Sequence, residues 1–324
     1  HFWNNYWLNK NMKNLFFILF FIVSLFARSQ DFKKVDLIVN QYPSYFNSIE
    51  AFANKVNTDF NTDLEKVRAV YYWVSNHIFY DYAQANRTYR RRTYYESEAD
   101  LERQLKLMAE QVLRRKRGVC EGYAQLTRFV LQDLQINCKV IKGYAKNDYR
   151  EIGVIKEKTN HAWNAVFINN KWHLLDATWS TGNDKDEPGK FDFDDFYFLT
   201  NPELMIYTHY AEDTKWLLLD QPMSKSAFFY TPLFYDYYHK SGLKFTKIQG
   251  LIKSSDEITI LFDEINENVT YSYFLEGSQS KYSQPLRFEK QGNKYITHIP
   301  FRKGRKTGLT IFAQGKACVA FRII

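Results

Sequence analysis

Cys120, His161 and Asp176 follow one another along this 324-residue chain, and together they are the residue set of a thiol nucleophile. A sulfur attacks a carbonyl carbon, an imidazole takes and returns the proton, and a carboxylate holds the imidazole. Cys120 lies in RRKRGVCEGYAQL; His161 and Asp176 lie in NHAWNAVFINNKWHLLDATW. A thiol is a good nucleophile only as thiolate, and a free cysteine holds its proton too tightly at neutral pH. The first turn of a helix favours an anion there, because its backbone N–H groups lack partners. Without such a setting Cys120 would read as a small packed residue, as cysteines often are.

The elements that must position these groups are legible. Val119, Tyr123, Leu126, Val130 and Leu134 step by four, three, four and four, one face of a helix with Cys120 in its first turn. Gly118 precedes it, where a tight backbone entry is expected. Downstream, His161–Ile168 and Lys171–Asp176 read as strands joined by Asn169-Asn170. That pair tolerates positive φ and suits a two-residue hairpin turn. Such a turn sets Asp176 opposite Trp163, whose strand face His161 shares. His161 and Asp176 then become diagonal neighbours about 7 Å apart at the backbone, within bridging reach. His173 falls on the other face, and a three-residue loop would reverse the whole relation.

RGVCEGYAQL, HAWNAVFINNKWHLLDATW and the later FYFLTNPELMIYTHYAEDTKWLLLDQP resemble the transglutaminase-like superfamily, and within it the branch of the kyphoscoliosis-type peptidases. The resemblance covers about residues 60–220 and keeps all three positions of the motif. It implies Cys120 as nucleophile, His161 as base and Asp176 as orienting acid. It also implies a papain-like fold, with a helical lobe carrying the cysteine against an antiparallel sheet carrying the other two. The implied reaction is acyl transfer through a thioester on peptide or glutamine-type amides. Hydrolysis is the expected outcome, with protein crosslinking or a non-catalytic binding module as alternatives. Tyr123, Trp163 and Trp179 are expected walls of the site, though each could equally be core. His209, within THYAED, reads as structural. The backbone N–H of Cys120 is a candidate oxyanion donor.

The expected class is therefore α+β. Residues 30–240 form the core with an aromatic connector, and residues 241–324 a small Ig-like β-sandwich. Before the core, Gln30 to Arg117 reads mainly as helix, notably Asn61–Phe79 with a cap at Asn61-Thr62-Asp63. Asn86–Glu98 and Thr178–Asp195 read as loops. Past Gly242, short alternating runs recur at Glu257–Phe262, Thr270–Leu275, Tyr295–Ile299, Gly308–Ala313 and Ala317–Ile323.

Composition sets outer limits. With 27 Phe, 24 Tyr and 7 Trp the chain can bury a large core. Met12-Lys13-Asn14, the apolar run Leu15–Phe26 and Ala27-Arg28-Ser29 read as a secretory signal peptide, residues 12–29, with residues 1–11 upstream of its start. The expected address is periplasmic or extracellular, with membrane contact only through an uncleaved leader. Loss of Lys10, Lys13 and Arg28 with that leader lowers the formal charge from +8 to +5. Arg114-Arg115-Lys116-Arg117 reads as a solvated helix end, and no nucleic-acid partner is expected. Three cysteines do not make a disulfide scaffold, and Cys138 and Cys318 read as buried hydrophobes. No CxxC is present, so neither a metal nor a cofactor is expected. The expected partners are a protein or peptide substrate and a protein docked on the C-terminal β region.

Overall fold

Capping, periodicity and turn chemistry place most of the elements. The computed structural model describes residues 32–86, 96–182, 191–221, 223–245 and 249–324. The leader, the residues before it, most of Asn86–Glu98 and part of Thr178–Asp195 lie outside these. The chain divides into two units, residues 1–42 and 43–324. In the first, Lys33–Val39 forms helix α1.

The second unit begins with α2, Ile49–Asp59, and α3, Asp63–His77. Ser48 caps α2. Thr62 caps α3 in a capping box, its hydroxyl accepting from the Glu65 N–H while the Glu65 carboxylate accepts from the Thr62 N–H. Next come β1, Phe79–Tyr80; the short α4, Tyr82–Ala85; α5, Glu98–Arg115; β2, Arg117–Gly118; and α6, Cys120–Asp133. Strands β1 and β2 pair in parallel, with Tyr80 beside Gly118 at the threshold of α6. The apolar stripe of α6 is buried as its spacing requires: Tyr123, Leu126 and Val130 are all interior. Gly118 and Gly122 are glycines because α5 presses on them. A Cβ at either would sit 2.9 or 2.7 Å from the Val112 side chain. Close approach, rather than a tight backbone entry, is what Gly118 supplies.

An antiparallel sheet stands behind α6. It comprises β3, Cys138–Ala145; β4, His161–Ile168; β5, Lys171–Leu175; and, beyond helix α7 at Pro202–Met205, β6 at His209–Ala211. Their order is β5-β4-β3-β6. Asn169 and Asn170 both have positive φ, 51° and 60°. They form the expected two-residue turn, which pairs Asn164 with Leu175 and Ile168 with Lys171. The segment after β5 is propped by α3: Ser75 Oγ donates to the Ala177 carbonyl at 3.2 Å, Tyr71 bonds Ser180, and Arg68 pairs with Asp195.

The connector holds α8, Lys225–Tyr230; β7, Leu233–Phe234; and α9, Tyr238–Ser241. It leads into β8, Lys244–Phe245; β9, Leu251–Ile252; β10, Glu257–Glu264; β11, Tyr271–Leu275; β12, Gln284–Pro285; β13, Glu289–Gln291; β14, Lys294–Pro300; β15, Thr307–Ala313; and β16, Lys316–Ile323. These make two sheets, β13-β14-β10-β8 and β12-β11-β15-β16-β7, with β9 parallel to β16. Phe262, Ile299, Leu309, Ile311 and Val319 from both sheets share one core. On β10, Ile258, Ile260 and Phe262 are buried while Glu257, Thr259 and Leu261 face solvent, the alternation of a strand with one wet side. Strand β7 already belongs to this region, although its residues precede position 241. All three cysteines are free, with Cys138 and Cys318 buried. Among the described residues, no helix is long and apolar enough to cross a membrane.

Candidate functional site

Cys120 is the first residue of α6, with Val119 as its extended N-cap. It is partly exposed, unlike the other two cysteines. His161 begins β4, and Asp176 follows β5 directly. The hairpin register brings the two together: His161 Nε2 lies 2.5 Å from Asp176 Oδ2. The Cys120 side chain lies near enough to the His161 ring to strengthen its hold on a proton. With Nε2 taken by the carboxylate, Nδ1 is the nitrogen left for the sulfur.

Asp176 is almost wholly buried, 1% exposed, yet well supplied with donors. Its Oδ1 accepts from the backbone N–H of Thr178 at 2.7 Å and of Trp179 at 3.1 Å. Its Oδ2 accepts from His161 and also from His209 Nε2 at 3.0 Å. Burial alone would push this carboxyl up. The His161 charge, with hydrogen bonds from His161 and His209, overrides that and holds it well below the usual carboxylate range. For His161 burial disfavours the charged ring, but Asp176 and then Cys120 outweigh it and raise the ring to about 10. His209 goes the other way. Burial, aided by the His161 charge, lowers it to about 4, so near neutrality this ring is uncharged. A neutral ring that donates from Nε2 must accept at Nδ1, and the Thr208 hydroxyl stands there at 2.8 Å.

His161, Asp176 and His209 also bring ligand-type atoms within 4.8 Å of one another. Both imidazoles donate to the same carboxylate oxygen, so the charge and hydrogen bonds of this trio close upon themselves.

A cavity of about 290 Å³ opens beside His161, walled by Tyr80, Tyr82, Asn147, Asn160 and Trp179 among others. Its described lining carries no Asp, Glu, Lys or Arg. Trp179 thus stands where a wall was expected, its ring 5.7 Å from that of His161. Tyr123 and Trp163 do not. Tyr123 is 1% exposed and its hydroxyl donates to the Ile78 carbonyl, bracing α6 against the end of α3. Trp163, 2% exposed, packs behind the rings of His161 and His209. Sequence reading passed over Tyr80, Tyr82, Asn147 and Asn160, and it took His209 as structural with no partner named. Tyr80 carries an electrostatic mark of the site: burial, then the nearby Cys120 charge, raise its hydroxyl to about 12. The parallel pairing of β1 with β2 sets it there, and a two-residue strand leaves little periodic signal.

Known proteins resemble this chain in sequence. Residues 50–177 match the family model of the transglutaminase-like superfamily. Kyphoscoliosis peptidase of Homo sapiens is 29% identical over 293 residues, covering 89% of this chain and 41% of that protein. Kyphoscoliosis peptidase of Mus musculus is 28% identical over 291 residues, with 88% and 41% covered. The chain therefore spans about two-fifths of the length of these relatives. A crystal structure described as a TGase is 18% identical, covering 57% of this chain and 42% of that one, with a TM-score of 0.28. With its mixed helix and antiparallel-sheet architecture, this chain carries at residues 50–177 a segment that matches the transglutaminase-like superfamily.

Proposed function

We propose that this protein is a cysteine-type acyl-transfer enzyme acting on peptide or glutamine-type amide bonds, with hydrolysis as its main outcome. The observation that carries the reading is Cys120 at the start of α6 beside the His161 ring, with that ring hydrogen-bonded to Asp176 and the carboxylate held by two backbone N–H groups. Cys120 Sγ attacks the amide carbon as thiolate, with the His161 imidazolium as its counter-ion. The carbonyl π pair moves to oxygen, and the backbone N–H of Cys120 at the start of α6 is a donor available to it. Collapse breaks the C–N bond, and His161 gives its proton to the leaving amine. A thioester remains. Water, deprotonated by the now neutral His161, adds to it and releases the carboxylic acid and Cys120. An amine in place of water would give a new amide. Asp176 keeps its charge throughout and keeps His161 turned so that one nitrogen faces the sulfur.

The aromatic and amide-bearing cavity beside His161, with no Asp, Glu, Lys or Arg in its described lining, suits a neutral carboxamide or peptide group. Export through the leader at residues 12–29, to the periplasm or beyond, belongs to the same proposal. Its basis is the basic start, apolar run and small-residue end of that segment. Mass spectrometry of peptide mixtures, incubated with the protein with and without an added primary amine, tests the reading. New termini or deamidated glutamine, absent with Cys120→Ala, support hydrolysis. Amine incorporation in preference to both would replace hydrolysis by crosslinking. Unchanged peptides under every condition would leave a binding module as the better account.

A further inference from the structure

Asn164 is a polar residue where the packing asks for an apolar one. It lies on β4 three residues after His161, so its side chain leaves the opposite face of the strand. The residues sharing that face, Ala162, Val166 and Ile168, are buried and apolar. Asn164 is 1% exposed. A buried amide costs stability unless it is hydrogen-bonded. Its Nδ2 donates to the Ala124 carbonyl of α6 at 3.0 Å, with the Lys139 carbonyl at 3.4 Å and Cys138 Sγ at 3.5 Å also in reach on β3. One side chain thus ties the helix that carries Cys120 to the strand that carries His161.

The placement is specific. Ala124 is four residues beyond Cys120, about one helical turn. His161 is three strand residues from Asn164, about 10 Å. The strut and the sulfur–imidazole contact therefore close a loop of four residues across the helix–sheet interface. The Glu121–Lys142 ion pair, 3.2 Å, also crosses from α6 to the sheet, but it lies in solvent, where such pairs hold geometry weakly; apolar contacts resist separation but not sliding or rolling. On its far side α6 is pressed by Val112 against Gly118 and Gly122, which limits its distance from α5 but not its register on the sheet. The Asn164–Ala124 bond is directional and supplies that register.

We propose that Asn164 is a positioning residue, which holds α6 against β4 so that Cys120 meets His161. The inference rests on the functional reading above, and one assay separates the two. The rate of iodoacetamide alkylation at Cys120 is measured by peptide mapping across pH 5 to 9 for four proteins: wild type, His161→Ala, Asn164→Leu and the double variant. Leucine matches asparagine in size and cannot donate. The expected result is a loss of about tenfold or more at neutral pH in Asn164→Leu, since displacement of reacting groups by an ångström costs rate steeply. In the His161→Ala background that loss should vanish, because the two changes break the same contact. A cooperative melting transition identifies the variant as folded; if leucine prevents folding, Asn164→Thr is held to the same limits. A His161-dependent rate that survives Asn164 substitution within twofold overturns the positioning role alone. So does an equal loss with and without His161, which marks a merely structural residue. Equal rates in wild type and His161→Ala overturn the Cys120–His161 pair itself, and this proposal with it.

Discussion

Two regions of the described chain bury their interiors in opposite ways. Around His161 the interior holds two imidazoles, a carboxylate, Asn164 and Thr208, with tryptophan and tyrosine rings packed between them. Between the two C-terminal sheets the core is almost entirely Phe, Ile, Leu and Val, and its Tyr271 hydroxyl has a firm partner in the Ser241 carbonyl at 2.6 Å. Burying polar groups costs stability unless each is paired. In the first region the buried Asp176 carboxylate is paired with two imidazoles, and the pairing also fixes how the His161 ring is turned. In the second, apolar burial serves stability. The contrast predicts that substitutions near His161 alter reactivity more than stability, whereas substitutions between the sheets do the reverse.

The largest expected effect is on Asp176. Asp176→Asn keeps the shape but removes the charge that holds His161 protonated and turned. Turnover of a peptide substrate, once found, should fall by about 10³-fold or more, while the melting temperature changes far less. A rate within tenfold of wild type would dissolve the contrast from the reactive side. Phe262, fully buried between the C-terminal sheets, gives the converse test. Phe262→Ala should cost about 3–5 kcal/mol in denaturant unfolding. Alkylation of Cys120 in the folded fraction should be unchanged.

His209 sharpens the comparison through pH. Its ring is lowered to about 4 in the folded chain and lies near 6.5 when unfolded. Between those values the unfolded state binds a proton that the folded state does not, so stability is lost as pH falls through that window. His209→Gln cannot titrate. The stability lead of wild type over this variant should therefore shrink by up to about 3 kcal/mol between pH 6.5 and 4, read by thermal melts. A constant difference would mean that His209 is not held neutral. The smallest effect is expected at the α3 capping box, where Thr62→Ala should cost about 1 kcal/mol and leave reactivity intact.

What could be read in advance follows the reach of each signal. The hairpin from His161 to Asp176 was legible because Asn169-Asn170 and a two-residue period fix its register locally. The strand around Phe262 announced itself by alternation, whereas the one around Ile311 is buried along nearly its whole length. His209 was not legible as a partner of Asp176. It arrives through the pairing of β6 with β3, where His209 stands beside Ala145, and nothing local to THYAED encodes that contact. Tyr123 shows the complementary limit: helical spacing identified its buried face but not whether a cavity opens there. The two- and three-residue strands β7, β8, β9, β12 and β13 are too short for any period to register.

The central claim is that Cys120 and His161 act as one chemical unit. The most direct measurement is the iodoacetamide alkylation rate of the native chain at pH 7, mapped by residue, with and without His161→Ala. The account predicts modification at Cys120 ahead of Cys138 and Cys318, slowed by about tenfold or more when the imidazole is removed. Equal rates at Cys120 in the two proteins, or preferred modification of a buried cysteine, would contradict it.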